Sequence, residues 1–422
     1  MQTTRAKFRC DTGATMKRVI IIGASARAAA DSAKRAGLQV VAIDQFGDQD
    51  VRSPTGSWFP GESTQQIASA IRQLTATASG KRSAIVYTGG CERWGGDLDR
   101  LAGQSGQTGM RWLVPSAALL AAVAHPENLL QVAQRSGVEF PRFRWWDDGR
   151  RSGGVGSMGA VEDPPLFQPL FKPLLRCGGM DVQRWPAALG THLTRGYLQE
   201  FVAGQLWGLS FCAYEDCVAL LGVCRGLTVG TRQASFVYRG SVGPIPVRPE
   251  IRRKLLQVGK AVVDVWPVRG LFGVDIIVSP QGCFLLEINL RFCASMELID
   301  LANQGQTDFQ SCIGQHLRAH QDAAAPKTIP LNTTQSRQVR VGCKQVVYSP
   351  SGLVWGQRQQ RQLKRLQTHL SSHATLHDLP SPGAIVQPGG PILTVITIAN
   401  NAGSALRNAG CVSRACQQAL DP

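Results

Sequence analysis

The chain has 422 residues, 43% of them hydrophobic and 18% charged, with a formal net charge of +16. That length allows two or three domains with a sizeable core, and the composition excludes a disordered polyelectrolyte. No run of about 18 apolar residues occurs, so no transmembrane helix is expected, and the basic start MQTTRAKFRCDTGATMKR lacks a secretory apolar segment.

Residues 1–16 read as a leader. KRVIIIGASARAAADSAKRAGLQVVAIDQFGD (17–48) then reads as strand, tight glycine turn, helix and strand. Its unbroken apolar run suits a parallel strand covered on both faces, and the whole is a βαβ start. Asp44 lies about 20 residues after Gly23, where a dinucleotide's ribose acid would sit. The turn, however, is Gly23-Ala24-Ser25-Ala26-Arg27-Ala28, which lacks two of the three fingerprint glycines, so NAD is not expected there.

A helix is expected around 64–78, a strand over 83–90, a loop entering a helix over 91–103 and a short strand over 111–115. Residues 116–137 give helix broken at Pro126, and the aperiodic glycine-rich stretch 145–165 is a loop near a subdomain boundary. FQPLFKPL, a glycine loop, a helix around 183–189 and the strands RGYLQEFVAG and WGLSFCAY follow, with CVALLGVCRGLTV (217–229) continuing the sheet. RPEIRRKLLQVGKAVVDVW (248–266) is amphipathic at helical spacing. Helices are expected in ELIDLANQ and FQSCIGQHLRAH, then a linker over 321–336, a β-rich stretch over 337–400 and a terminal helix after Asn401.

The hairpin GVDIIVSPQGCFLLEINLR (273–291) carries the chemistry. Glu287 and Asn289 are two apart and share one strand face, and the partner strand brings Asp275 alongside. Two carboxylates and an amide oxygen suit magnesium held through phosphates, and Arg291 continues the face with a fork for a phosphate oxygen. Exposed strand polarity is the plainer alternative. CFLLEINL is otherwise apolar on both faces, and an unpaired buried carboxylate there is costly. A bound cation is therefore the better account.

At this point the chain resembles the ATP-grasp superfamily, whose metal site is an acid on one strand and E-x-N on the next. The resemblance implies that Asp275, Glu287 and Asn289 hold Mg2+ (or Mn2+) and that Arg291 steadies the transferring phosphoryl group. It implies the same of four upstream pieces: Lys172 as the nucleotide-pocket lysine, Gly178 and Gly179 as the phosphate-covering loop, Gln199, Glu200, Phe201 and Val202 as the adenine segment, and Gly204 after it. These pieces agree in order over roughly 166–300. Arg232 and Arg239, in GTRQASFVYRGSVGPIP (230–246), are candidates for a substrate carboxylate, with a solvated loop as the alternative. Glu92 and Arg93 lie where open α/β sheets place ligands, although ordinary loop polarity also fits. Two departures stand out. HPENLLQ lacks the second nucleotide lysine, and no ribose acid follows Gly204.

The fold implied is α/β (α+β). An N-terminal Rossmann-like pre-ATP-grasp domain spans 17–118, a two-lobed ATP-grasp core spans 119–325 with its nucleotide lobe near 166–225, and a β-rich C-terminal domain with a terminal helix spans 326–422. The function implied is an ATP-dependent ligase that activates a carboxylate as an acylphosphate and joins it to an amine. GASARAA, QEFVAGQ and HDLPSPGAIVQPGGPILTV resemble carboligases of organisms with tetrahydromethanopterin-linked one-carbon metabolism, which implies coenzyme biosynthesis. A bicarbonate-dependent carboxylase is the nearest alternative. A non-catalytic nucleotide- or RNA-binding protein is the rival from another class, supported by the basic GQRQQRQLKRL (356–366).

The twelve cysteines form no CxxC pair, and Cys212, Cys217 and Cys224, spaced by five and seven, do not resemble a zinc module. Together with the missing leader signals they imply a cytoplasmic protein with reduced thiols. Dimers are common in the superfamily. The net charge reads mainly as solvated surface, so nucleic acid is not expected as a partner, and neither is a membrane.

Overall fold

A computed structural model describes residues 16–55, 57–77, 83–104, 109–146, 168–179, 181–185, 195–228, 236–304, 309, 311–321, 340–370 and 373–420. The leader up to residue 15, the loop over 147–165, Arg232 and the linker over 322–336 lie outside the described residues.

β1 (Arg18–Gly23), α1 (Arg27–Arg35), β2 (Gln39–Asp44), α2 (Gln49–Thr55), β3 (Trp58–Pro60), α3 (Thr64–Thr77), β4 (Ser83–Tyr87), α4 (Gly95–Gln104) and β5 (Met110–Trp112) come first. Their strands form a parallel sheet of order β3-β2-β1-β4-β5. Val19 and Ile21 pack beneath α1, while Ile20 and Ile22 pack against Ile67 and Ile71 of α3. Covering both faces is what an unbroken VIII run requires. Asp44 is fully buried and belongs to the fold: its carboxylate accepts from the Ala26 and Gly47 amides, both at 2.6 Å. It thereby ties the start of α1 to the turn after β2. Burial nevertheless pushes its acid up to about 6 against those two hydrogen bonds.

α5 (Ala117–Ala124) and α6 (Pro126–Ser136) lead into β6 (Phe143–Trp146), β7 (Pro169–Pro173), β8 (Gln183–Arg184) and β9 (Gly196–Glu200), an antiparallel sheet of order β6-β9-β7-β8. The helix expected around 183–189 is a short strand at 183–184 instead, because Gln183 and Arg184 pair with Phe171 and Leu170 of β7; residues 186–189 lie outside the described residues.

The remaining elements are β10 (Gln205–Ala213), β11 (Val218–Thr228), β12 (Tyr238–Gly243), α7 (Pro249–Val265), β13 (Gly270–Ser279), β14 (Gly282–Asn289), α8 (Met296–Ala302), α9 (Cys312–Ala319), β15 (Val341–Tyr348), β16 (Leu353–Val354), α10 (Gln357–Gln367), β17 (Ala374–His377), β18 (Ile385–Val386), β19 (Pro391–Ala399) and α11 (Ala402–Leu420). Eight strands make one sheet of order β14-β13-β10-β11-β12-β15-β19-β17, so the strands after residue 340 extend the sheet that carries the hairpin.

One face of this sheet buries the stacked Phe211 and Phe272, whose centroids are 5.0 Å apart, against Leu255, Val258 and Val262 of α7. Each such side chain contributes about 1.5–3 kcal/mol by leaving water. The other face lies under α8 and α9, which also pack on α1. This shared core brings the C-terminal edge of the parallel sheet up to the hairpin. At its centre Arg27 of α1, 1% exposed, is held by Glu297 of α8 and by Asp378, and Lys344 of β15 reaches Glu297 at 2.8 Å. No helix among the described residues is long and apolar enough to cross a membrane.

Candidate active site

β13 and β14 pair antiparallel with Gly273 opposite Asn289 and Asp275 opposite Glu287. Beyond that pair the register slips: Ile276 faces Leu285, so Leu286 is an extra residue on β14. Such a bulge re-aims backbone and side chains and recurs beside active sites. Here the Leu286 carbonyl accepts the ammonium of Lys172, on β7, at 3.2 Å. The bulge therefore anchors the lysine of the smaller sheet to the β13–β14 hairpin.

The structure brings Asp275, Glu287, Asn289, Arg291 and Lys172 together. Asn289 Nδ2 donates to Glu287 at 3.0 Å and to Asp275 at 3.3 Å, and its Oδ1 accepts from Arg291 at 2.9 Å. Two carboxylates cannot face each other in this interior as free anions. Burial, then the charge of Glu287, pushes Asp275 well above the usual carboxylate range. Burial acts the same way on Glu287, but the Lys172 ammonium and hydrogen bonds from Asp275 and Asn289 outweigh it and hold that acid low. Of the two, Asp275 is therefore the carboxyl that takes up a proton first. A carboxylate pair that must borrow a proton for charge balance fits a divalent cation. Asn289 here turns Nδ2 toward both carboxylates and Oδ1 toward Arg291, so its amide would have to rotate to add an oxygen.

A pH dependence follows. Cation binding needs Asp275 ionised, so affinity should rise with pH, and each binding event should release a proton while Asp275 is still protonated in the free protein. Calorimetry in two buffers of different ionisation enthalpy measures this directly. Equal heats would contradict it.

The candidate nucleotide residues line the neighbouring lobe. Lys172 lies 5.9 Å from the Tyr197 ring centroid, and Tyr197 and Glu287 keep it charged against burial. Gly178 and Gly179 both have positive φ, +74° and +70°, and the Tyr238 amide donates to the Gly178 carbonyl at 2.9 Å. A Cβ on Gly179 would lie 2.0 Å from the Phe236 carbonyl, so only glycine fits this approach of the loop to the strand. Gln199 is 2% exposed on β9, and its Nε2 has no hydrogen-bond partner among the described residues. An orphaned buried amide of this kind fits a ligand acceptor such as a base ring. Glu200 is held by the Arg142 guanidinium, at 3.0 and 2.9 Å. Phe201 lies tilted against Phe236, their centroids 6.2 Å apart, with the Arg184 guanidinium 4.7 Å from its own ring centroid. Val202 is half-buried in the turn before β10.

Two further candidates part company. Glu92 joins the cluster and is ion-paired with Arg291. Arg239 does not: it lies on β12, three strands from β13, rather than in a loop, and its Nε is enclosed without a partner among the described residues. A cleft opens between the site and α5–α6, lined by Lys172, Glu287, Asn289 and Glu92 on one side and by Val123 and Leu129 on the other. Beside it, where HPENLLQ lacks a lysine, Glu127 accepts from Trp145 at 2.6 Å and pairs with His125. Sequence reasoning missed that pairing, because Trp145 belongs to a separate strand.

Residues 167–295 match the model of the ATP-grasp domain. The N5-carboxyaminoimidazole ribonucleotide synthetase of Thermotoga maritima is 15% identical, with a TM-score of 0.60 over 94% of this chain and 98% of that one. The L-amino acid ligase of Bacillus licheniformis is 12% identical, with a TM-score of 0.62 over 94% and 97%. The biotin carboxylase domain of 2-oxoglutarate carboxylase from Hydrogenobacter thermophilus, a dimer in complex with MgADP and bicarbonate, is 14% identical, with a TM-score of 0.60 over 93% and 89%. An uncharacterized Methanocaldococcus jannaschii protein is 20% identical over 167 residues, 39% of this chain; the match spans about a third of that curated relative, 34% of its length. At these identities the likeness to the solved structures is one of fold.

Proposed function

We propose that this chain, which carries an ATP-grasp domain in an ATP-grasp fold, is an ATP-dependent carboxylate–amine ligase. The observation that carries this reading is the convergence of Asp275, Glu287, Asn289 and Arg291 with Lys172 at one bulged hairpin. A substrate carboxylate oxygen would attack the γ-phosphorus of ATP, and the bond to the bridging oxygen would break, with the electron pair leaving on ADP. An amine nitrogen would then attack the acyl carbon; phosphate would leave with its bonding pair, and the amine's proton would pass to solvent.

Asp275, Glu287 and Asn289 would hold magnesium, which supplies charge neutralisation at the phosphates. Lys172, Gly178 and Gly179 would hold and cover phosphate, and Gln199 to Val202 would meet the adenine. Arg291 would steady the transferring group. The chain's contribution is positioning and fixed charge, with no covalent enzyme intermediate. The Rossmann-like unit at 17–118 would carry the substrate side, and 326–422 would close the site from the C-terminal side. A cytoplasmic homodimer and a place in coenzyme assembly for one-carbon metabolism belong to the same proposal, supported by the resemblance alone.

Hydroxylamine tests the acylphosphate. Offered in place of the amine, it should yield a hydroxamate with stoichiometric ADP in the presence of the right carboxylate. ADP release without a hydroxamate from any carboxylate would favour the second reading, a carboxylase that uses bicarbonate. That reading has its own support in the biotin carboxylase neighbour.

A further inference from the structure

We propose that Glu92 is the positioning residue that sets the guanidinium plane of Arg291, an inference that rests on the nucleotide site proposed above. Glu92 opens the short 3-10 turn Glu92–Trp94 after β4, at the C-terminal edge of the parallel sheet. Its Oε1 accepts from Arg291 Nε, and its Oε2 accepts from the Gly90 amide at 2.8 Å. Both carboxylate oxygens are thus committed to the protein: one to the backbone of its own turn, the other to the arginine. The side chains are largely enclosed, Glu92 14% and Arg291 11% exposed, so this charged pair is poorly screened.

The rest of the guanidinium is equally constrained. One Nη donates to Asn289 Oδ1 at 2.9 Å, and the other, among the described residues, meets the Cys293 sulfur at 3.8 Å. The Gly89 backbone lies against its face, since a Cβ there would stand 3.4 Å from Arg291 Cζ. The turn of residues 89–92 therefore fixes one edge and one face of Arg291, while Asn289 links it to the carboxylate dyad. The Nη whose partner among the described residues is the weakly accepting sulfur remains for an anionic oxygen. A carboxylate with both oxygens engaged is placed to orient a cation, not to receive a substrate. Charge-assisted bonds of this geometry are among the stronger hydrogen bonds, and small misplacements of a clamp are costly.

Nucleotide binding in excess Mg2+ tests this without turnover. Calorimetry would give the affinities of a β,γ-imido ATP analogue and of ADP for the full chain, and their ratio reports the grip on the terminal phosphate. Glu92→Ala should lower that ratio about tenfold. Glu92→Asp, which keeps the charge but withdraws the carboxylate by a methylene, should lower it similarly. Glu92→Gln, which keeps an oxygen for Arg291 Nε but turns an NH2 against the Gly90 N–H, should recover only part of it. In an Arg291→Ala background, Glu92→Ala should change the ratio no further.

An unchanged ratio in Glu92→Ala and Glu92→Asp, or an equal loss with Arg291 absent, overturns the role of Glu92. A wild-type chain that binds neither nucleotide contradicts the nucleotide site itself. Should Glu92→Ala fail to fold, the Asp and Gln variants carry the same comparison.

Discussion

A Glu287→Ala, Asn289→Ala double variant should lose MgATP-dependent ADP release by about a thousandfold or more, with the fold intact. The variant removes two of the three side chains proposed to hold magnesium, one of them the Asn289 amide that joins both carboxylates to Arg291. The β13–β14 register is made by backbone pairs, and Lys172 bonds the Leu286 carbonyl, so neither depends on the deleted side chains. Glu287 also faces the buried Lys172 ammonium, so its loss removes a charge partner, but Tyr197 and the Leu286 carbonyl still hold that ammonium. The variant should therefore stay folded, with a melting temperature below the wild-type value. Full turnover by this variant would remove the hairpin from the mechanism.

Arg27→Met should destabilise the chain by about 3–5 kcal/mol, because it leaves buried carboxylates without their cation. Arg27 is 1% and Glu297 3% exposed, and the pair is shared with Asp378 and Lys344. Burial alone would raise Glu297 and Asp378, but Arg27 pulls both below the ordinary range, with Lys344 adding to the pull. Acids depressed in the folded state contribute stability that is present above their unfolded pKa of about 4 and is lost as pH falls through the folded values. The gap in melting temperature between wild type and Arg27→Met should therefore be widest near neutrality and shrink in acid. A gap that is small at neutral pH, or constant with pH, would contradict this account.

How much of this was legible in the sequence varied with the range of the interaction. The βαβ start was readable because an apolar run, a glycine turn and a small-residue helix are local signals. The hairpin was readable because period-two spacing fixes which polar groups share a face. Nothing local in GTRQASFVYRGSVGPIP decides between a carboxylate-binding Arg239 and a solvated loop, because β12 is held from outside, by β11 and β15. The basic GQRQQRQLKRL, expected within a β-rich stretch, forms the helix α10, whose single buried residue, Leu363, leaves almost no apolar face to announce it.

Asp44 illustrates a correct local suspicion with a different use: the acid does sit at the end of β2, but it bonds backbone amides of its own fold. Longer-range features left no trace in the order of residues. Arg27 and Glu297 are 270 positions apart, Glu92 and Arg291 are 199 apart, and the bulge at Leu286 depends on how two strands pair. Single-sequence reasoning offers no warrant for such pairs, and only packing reveals them.

The most direct test of the central claim is ADP release from MgATP, measured with the full chain against separate pools of small carboxylates, amino acids and bicarbonate, with Glu287→Ala alongside. The account expects turnover that requires a carboxylate together with an amine and that disappears in the variant. Turnover on bicarbonate alone would contradict amide ligation and make the chain a carboxylase. Failure to bind MgATP at all would contradict the account at its root.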